Sequence, residues 1–263
     1  MISYREAMAT GLSIASDIDW RVANDYVELL IADRRCFAWE WLRRTPAYRR
    51  AWTERTKLPH EASSDFGLLG WIDPRFATPQ ARPIWSIGTD PRVLDGHLLG
   101  GCDMLEDLFD IRDVAPFVSV EIDRCGNEHW LISDGHWAIR LDLHDGTLLG
   151  GPALLEHRLQ GTRSSRPKLD ALRQFLALAT TGALPQSLMP REQRAARWIL
   201  ELRVGDAMIE QVSQQEMARF LFGSAIAPRR WRLDSASYRL RIQRLVRIAQ
   251  RRLAEPLAGP WFQ

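Results

Sequence analysis

The hydrophobic positions of this chain repeat with two periods, and the changes of period mark its parts. From Trp20 to Trp52 the spacing is helical. Val22, Tyr26, Leu29 and Leu30 fit an amphipathic helix ending near Arg35. FAWEWLRR, residues 37–44, predicts a second helix, and Thr45-Pro46 supplies a cap and a first-turn proline for a third through Tyr48 and Trp52. Residues 53–83 are rich in Pro, Ser, Asp and Gly and read as loop. Ile84, Trp85 and Ile87 suit a strand, and Asp103 to Asp113, around Leu105, Leu108, Phe109 and Ile111, suits a helix with an acidic solvent face.

From Phe117 to Leu149 the period becomes two. Phe117, Ser119 and Glu121 alternate with Val118, Val120 and Ile122, and Trp137, Ile139, Leu141 and Leu143 alternate with Ala138, Arg140, Asp142 and His144. Turns are expected at Gly126-Asn127, Asp134-Gly135 and Asp145-Gly146. This predicts an antiparallel meander with one buried face. Residues 153–160 then suit a short helix.

Helical spacing returns in Leu169, Leu172, Leu176 and Ala179, with a stop at Gly182. Pro190 opens a further helix, with Ala195, Trp198, Ile199 and Leu202 on one stripe, running toward Ile209. Ser213 with Glu216 is a capping box before Met217, Phe220 and Leu221, and Gly223 is a stop. Asp234 or Ser235 caps a longer helix. The helices at 169–179 and 190–209 are expected to be the scaffold on which the Ser213 and Asp234 helices pack. Tyr238, Ile242, Leu245 and Ala249 form the apolar stripe of the longer helix, with Ile248 and Leu253 at the edges, and Arg244, Arg247 and Arg251 lie opposite.

Charge sharpens this division. Residues 1–162 hold 17 basic and 25 acidic side chains, whereas residues 163–263 hold 18 and 8. Ten arginines and one acid, Asp234, fall between Arg219 and Arg252. A short capped helix, a connection and a long basic helix form the layout of a helix-turn-helix, whose last helix enters the DNA major groove. The connection from Gly223 to Asp234 is longer than in the usual motif. The plain alternative is an arginine-rich solvated face: Lys57 and Lys168 are the chain's only lysines, so the arginine excess also fits genome base composition. Arg43, Arg44, Arg49 and Arg50, interleaved with Trp41, Tyr48 and Trp52, fit a second nucleic-acid contact. The favoured reading is an aromatic core with an arginine rim, where Glu40 is available to pair.

Two stretches resemble known regulators. EMARFLFG at 216–223, Trp231 and the arginine spacing after Ser237 resemble the C-terminal domain of a proteobacterial family found in integrative and conjugative elements. FseA-type excision activators and QseM-type antiactivators belong to it. Asp19 to Arg49, containing AWEWLRRTPAYR, resembles the small N-terminal domain that accompanies it, and FGLLGWIDP, 66–74, and Trp85 resemble its continuation. The resemblance implies a transcription regulator with a helix-turn-helix.

The expected fold is therefore α+β, with a small helical N-terminal module, an antiparallel β-meander in the middle and a C-terminal helical bundle containing the helix-turn-helix. The expected segments are 1–62, 63–160 and 161–263. The expected chemistry is binding rather than catalysis. Arg244, Arg247 and Arg251 face duplex DNA, Arg239 and Gln243 lie nearer the base edges, and Arg229, Arg230 and Arg232 clamp phosphates, with Ser235 and Ser237 at the helix start. A transcriptional activator is expected. The alternative is an adaptor or antiactivator that holds another regulator protein, with the arginine face on acidic protein.

A homodimer on paired half-sites is left open, because no heptad repeat is present. No cofactor or metal is expected. Cys36, Cys102 and Cys125 form no C-x-x-C pair, and His129, His136 and His144 read as scattered surface residues. No P-loop, G-x-G-x-x-G or Ser-His-Asp order stands out. The first twenty residues lack a signal-peptide layout and no run is long enough to span a membrane, so a reducing cytoplasm is expected.

Overall fold

The computed structural model describes residues 18–99, 107–223 and 236–263. Its architecture is α+β, with helices at both ends of the chain and a sheet between them. Packing divides it into two compact units that do not follow the three consecutive segments expected from sequence. Unit 1 combines Met1–Thr53 with Glu192–Trp261, and unit 2 combines Glu54–Arg191 with Phe262–Gln263. The N-terminal helices therefore share a unit with the basic C-terminal helices.

In unit 1 the first expected helix is a 3-10 turn series, Ala23–Leu30, which buries Tyr26 and Leu29 and leaves Val22 and Leu30 exposed. Helix α1, Arg34–Leu42, begins at Asp33, whose side chain accepts from the Arg35 N–H at 2.9 Å. Helix α2, Pro46–Glu54, starts with the expected proline, and Thr45 Oγ1 accepts from the Tyr48 N–H at 3.3 Å. Trp39, Trp41, Phe37 and Tyr48 are fully buried, so the aromatics of this segment are core.

The later helices of unit 1 pack on these aromatics. Helix α4, Ala195–Ile209, comes after helix α3 of unit 2, Ser165–Thr181, and buries the expected Ala195, Trp198, Ile199 and Leu202. It starts at Ala195, five residues later than the proline at 190 suggested. Gly205 lets it come close to its neighbours: a Cβ there would stand 2.9 Å from Trp41 of α1 and 3.9 Å from the Ala249 Cβ. Helix α5, Gln214–Phe222, and helix α6, Ala236–Ala254, complete the unit.

Unit 2 holds a five-stranded sheet of order β2-β3-β4-β1-β5, made of Leu94–Leu99 (β1), Val118–Ile122 (β2), Glu128–Ser133 (β3), Ala138–Leu143 (β4) and Leu154–Arg158 (β5). β2, β3 and β4 are the expected antiparallel meander, with Val120 opposite Trp130 and Trp130 opposite Leu141. Gly126, Gly135 and Gly146 all take positive φ at the expected turns. The meander is extended beyond the expectation: β1 pairs parallel to β4, and β5 pairs antiparallel to β1.

Residues 154–158 form an edge strand rather than a helix, because Leu154 to Arg158 find the free edge of β1. Trp85 forms only an isolated bridge with Leu68 instead of a strand. The acidic 103–113 helix is absent from its described part: Phe109 bridges Ala153, and a 3-10 helix runs from Ile111 to Phe117. Residues 103–106 lie outside the described residues.

Helix α3, Ser165–Thr181, ends at Gly182 as expected, with φ of 70°. It is nevertheless part of the sheet unit, not a scaffold for the C-terminal helices. Ala171, Phe175 and Leu178 join Trp130, Ile132, Ile139 and Leu141 in one core, while Leu169 and Leu176 of the expected stripe are exposed. The sheet's other face is also covered. Arg140 and Asp142 on β4 are buried rather than solvated, and the Arg140 guanidinium donates to the carbonyls of Trp85 and Trp130 and to Asp142. No helix among the described residues is long and apolar enough to cross a membrane.

Candidate nucleic-acid interface

Ser213 starts α5, its side chain accepting from the Glu216 N–H at 3.2 Å. The Glu216 carboxylate turns to Arg21, at 3.7 Å, rather than completing the capping box. Met217 and Ala218 are buried, and Gly223 ends the helix. In α6, Ile242, Leu245, Ala249 and Leu253 are buried, which fixes the rotation of the helix. Tyr238, at the start of the same stripe, is 37% exposed and stacks on Phe222 of α5 at 5.7 Å. Arg241 covers the Phe222 ring from 4.2 Å.

With the apolar stripe turned inward, the opposite side of α6 faces solvent. Arg244, Arg247 and Arg251 are exposed, and none has an ion-pair partner among the described residues. At about 100° per residue these three and Ser237 fall within an arc of roughly 80°, and Ser237 to Arg251 spans about 21 Å. Ser237 is exposed, whereas Arg239 and Gln243 are half-buried on the flank. No acidic residue occurs between 236 and 254. Arg229, Arg230, Arg232 and Ser235 lie outside the described residues.

Two further exposed arginines were not assigned from sequence. Arg219 stands 5.6 Å from the Phe220 ring, and Arg241 lies over Phe222. The aromatic residues that precede Gly223 were the available signal. Arg252, like Arg239, is half-buried. It is turned inward over Trp261 at 4.7 Å, and burial lowers its pKa. Nearby Glu201 on α4 is also buried, and burial raises its pKa against the opposing pull of Arg197 at 3.2 Å.

The arginines at 43, 44, 49 and 50 are placed differently: Glu40 pairs with the first two as expected, but these two are not on a wet rim. Arg43 and Arg44 are buried, 2% and 1% exposed, so they are neither a wet rim nor a nucleic-acid contact. Arg44 grips Asp206 of α4 with two bonds of 2.7 and 2.9 Å and also donates to Glu40. Arg43 donates to Glu40 at 2.7 Å. The Tyr26 hydroxyl donates to Asp206 at 2.7 Å. Burial alone would lower the Arg44 pKa, but Asp206 and Glu40 outweigh it and raise it. Arg49, half-buried, donates to the Arg43 carbonyl at 2.8 Å, and burial followed by the Arg43 and Arg44 charges pushes it down to about 10.

The three histidines lie apart, each beside a different aspartate, and His129 and His136 are half-buried. His129 Nδ1 is 2.8 Å from Asp142, a bond that raises its pKa. His144 Nε2 is 3.5 Å from Asp95, and His136 Nδ1 is 3.9 Å from Asp134. Among the described residues no His, Cys, Asp and Glu group has a geometry able to hold a metal ion.

Residues 19–68 match the model of a proteobacterial transcriptional regulator-like domain. The match begins at the segment bearing Trp20, takes in α1 and α2, and ends at Leu68. It supports a regulatory role for the chain. No curated protein gave a match.

Proposed function

We propose that the chain is a DNA-binding transcription regulator and not an enzyme, reading duplex DNA with the exposed face of α6. The observation that carries this is the row Arg244, Arg247 and Arg251, which is exposed and has no ion-pair partner among the described residues. An arginine fork binds phosphate or guanine with two parallel bonds, and DNA supplies such acceptors along a line. α5 and α6 act as a helix-turn-helix, with Ser237 entering first, Arg239 and Gln243 toward base edges, and Arg229, Arg230, Arg232 and Ser235 on the backbone before it. Arg219 and Arg241 extend the basic surface. The matched 19–68 segment shares unit 1 with α6 through its first 35 residues. It braces the reading helix through α4 instead of forming a separate contact.

The regulator-like match and the resemblance to FseA-type proteins favour an activator of mobile-element excision or transfer. The test is fluorescence-anisotropy binding of the full chain to a mixed duplex DNA pool at low and moderate salt. Binding that is tight at low salt and falls steeply with salt is expected. Absence of binding at low salt, with co-purification of another regulator, would replace this reading with the adaptor one.

A further inference from the structure

A cavity of about 250 Å³ opens on unit 2, beside the turn between β2 and β3. Its apolar wall is Leu68, Leu69 and Ile122, and its charged wall includes Glu121, Asp123 and His129. Most of the charges around it are matched. Glu61 pairs with Arg124 at 2.8 Å. Asp123 accepts the Cys125 and Asn127 N–H groups at 2.8 and 2.9 Å and the Asn127 side chain at 2.7 Å. His129 is held by Asp142, which also takes Arg140 at 2.9 Å.

Glu121 is different. It lies on β2 opposite His129, half-buried, and its carboxylate has no hydrogen-bond or ion-pair partner among the described residues. It sits directly against Gly70, where an added Cβ would come within 2.5 Å of Oε1. A lone carboxylate beside leucine and isoleucine selects a ligand with a positive head and a short apolar body. Water does not compete well for the apolar part, and an anion is repelled. The volume lies just below the usual range of ligand pockets, so the ligand must be small.

We infer that this cavity is a binding site for a small organic monocation, its ammonium or guanidinium group on Glu121 and its body against Leu68, Leu69 and Ile122. The site stands independently of DNA binding. The experiment is calorimetric titration of the full chain with phenethylammonium, phenethyl alcohol and phenylacetate, which share a body and differ in charge. Saturable binding of the ammonium alone is expected at up to millimolar concentration. Glu121→Gln keeps the shape and should weaken it about tenfold or more. Gly70→Ala is a second variant: its methyl displaces the flexible Glu121 carboxylate and should weaken binding similarly. Arg247→Ala should leave the titration unchanged, which separates this site from the DNA reading. Failure of the ammonium to bind, equal binding of the alcohol, or full binding by folded Glu121→Gln would overturn the assignment.

Discussion

Unit 1 keeps arginines in two opposite settings. Arg43 and Arg44 are inside, and their guanidinium groups meet Glu40 and Asp206 at hydrogen-bond distance. Arg244, Arg247 and Arg251 are outside on a helix that carries no acid. Burying a charge is costly unless it is paired, so the two inner guanidinium groups sit against two carboxylates, and Arg44 ties the end of α1 to α4. The outer set has its charge available, and a polyanion can use it. Arginine content alone therefore says little about nucleic-acid binding. The carboxylates within reach of each guanidinium decide it.

The largest effect should come from breaking the inner set. Asp206→Ala takes from Tyr26 its carboxylate acceptor and from buried Arg44 one of its two carboxylates, and should cost roughly 3–5 kcal/mol in urea unfolding of the full chain. A loss below about 1 kcal/mol would mean that the inner pair behaves like a surface one. Gly205→Ala tests the packing of α4 between Trp41 and Ala249. The rigid indole must move, so a cost of about 1–3 kcal/mol is expected; an unchanged midpoint would show that the helices can separate freely.

Glu201 sharpens the contrast, because it is a buried carboxylate whose ion pair is with the exposed Arg197. Its pKa is raised by burial, so the folded chain binds its proton more tightly than the unfolded chain does. Stability should fall as pH rises from the ordinary glutamate value through the raised one. Glu201→Gln should remove that part of the slope in a pH series of melting curves. Retention of the full slope would place the titration elsewhere. The smallest change in stability is expected for the outer set: Arg247→Ala should stay within about 0.5 kcal/mol of the parent, since the side chain is exposed. A large loss of stability there would make Arg247 structural.

The sequence made some of this legible because local chemistry carried it. The proline of α2, the Ser213 cap, the Gly182 and Gly223 stops and the turn glycines of the meander depend on residues close in the chain. The rotation of α6 followed from Ile242, Leu245 and Ala249 alone. Contacts at long range were hidden. Arg44 meets Asp206 across 162 positions, and no periodicity announces that. Polar residues on β4 suggested a wet face, yet Arg140 finds carbonyl acceptors and Asp142 finds His129, so the face is covered. β5 alternates poorly by itself and becomes a strand only because β1 offers an edge. The two units mix the ends of the chain, so a fragment beginning at residue 163 would carry α3 away from its sheet and α4 away from α1.

The most direct test of the outer set is the salt dependence of duplex DNA binding, measured on the full chain and on the Arg244→Ala/Arg247→Ala/Arg251→Ala variant. Arg173→Ala serves as the control, because Arg173 is an exposed arginine on α3 that has Asp170 within 3.5 Å. If the α6 face is the DNA surface, the triple variant should lower the slope of log K against log salt by about three while remaining folded, and the control should keep the parent slope. A triple variant with the parent's affinity and slope would contradict the account.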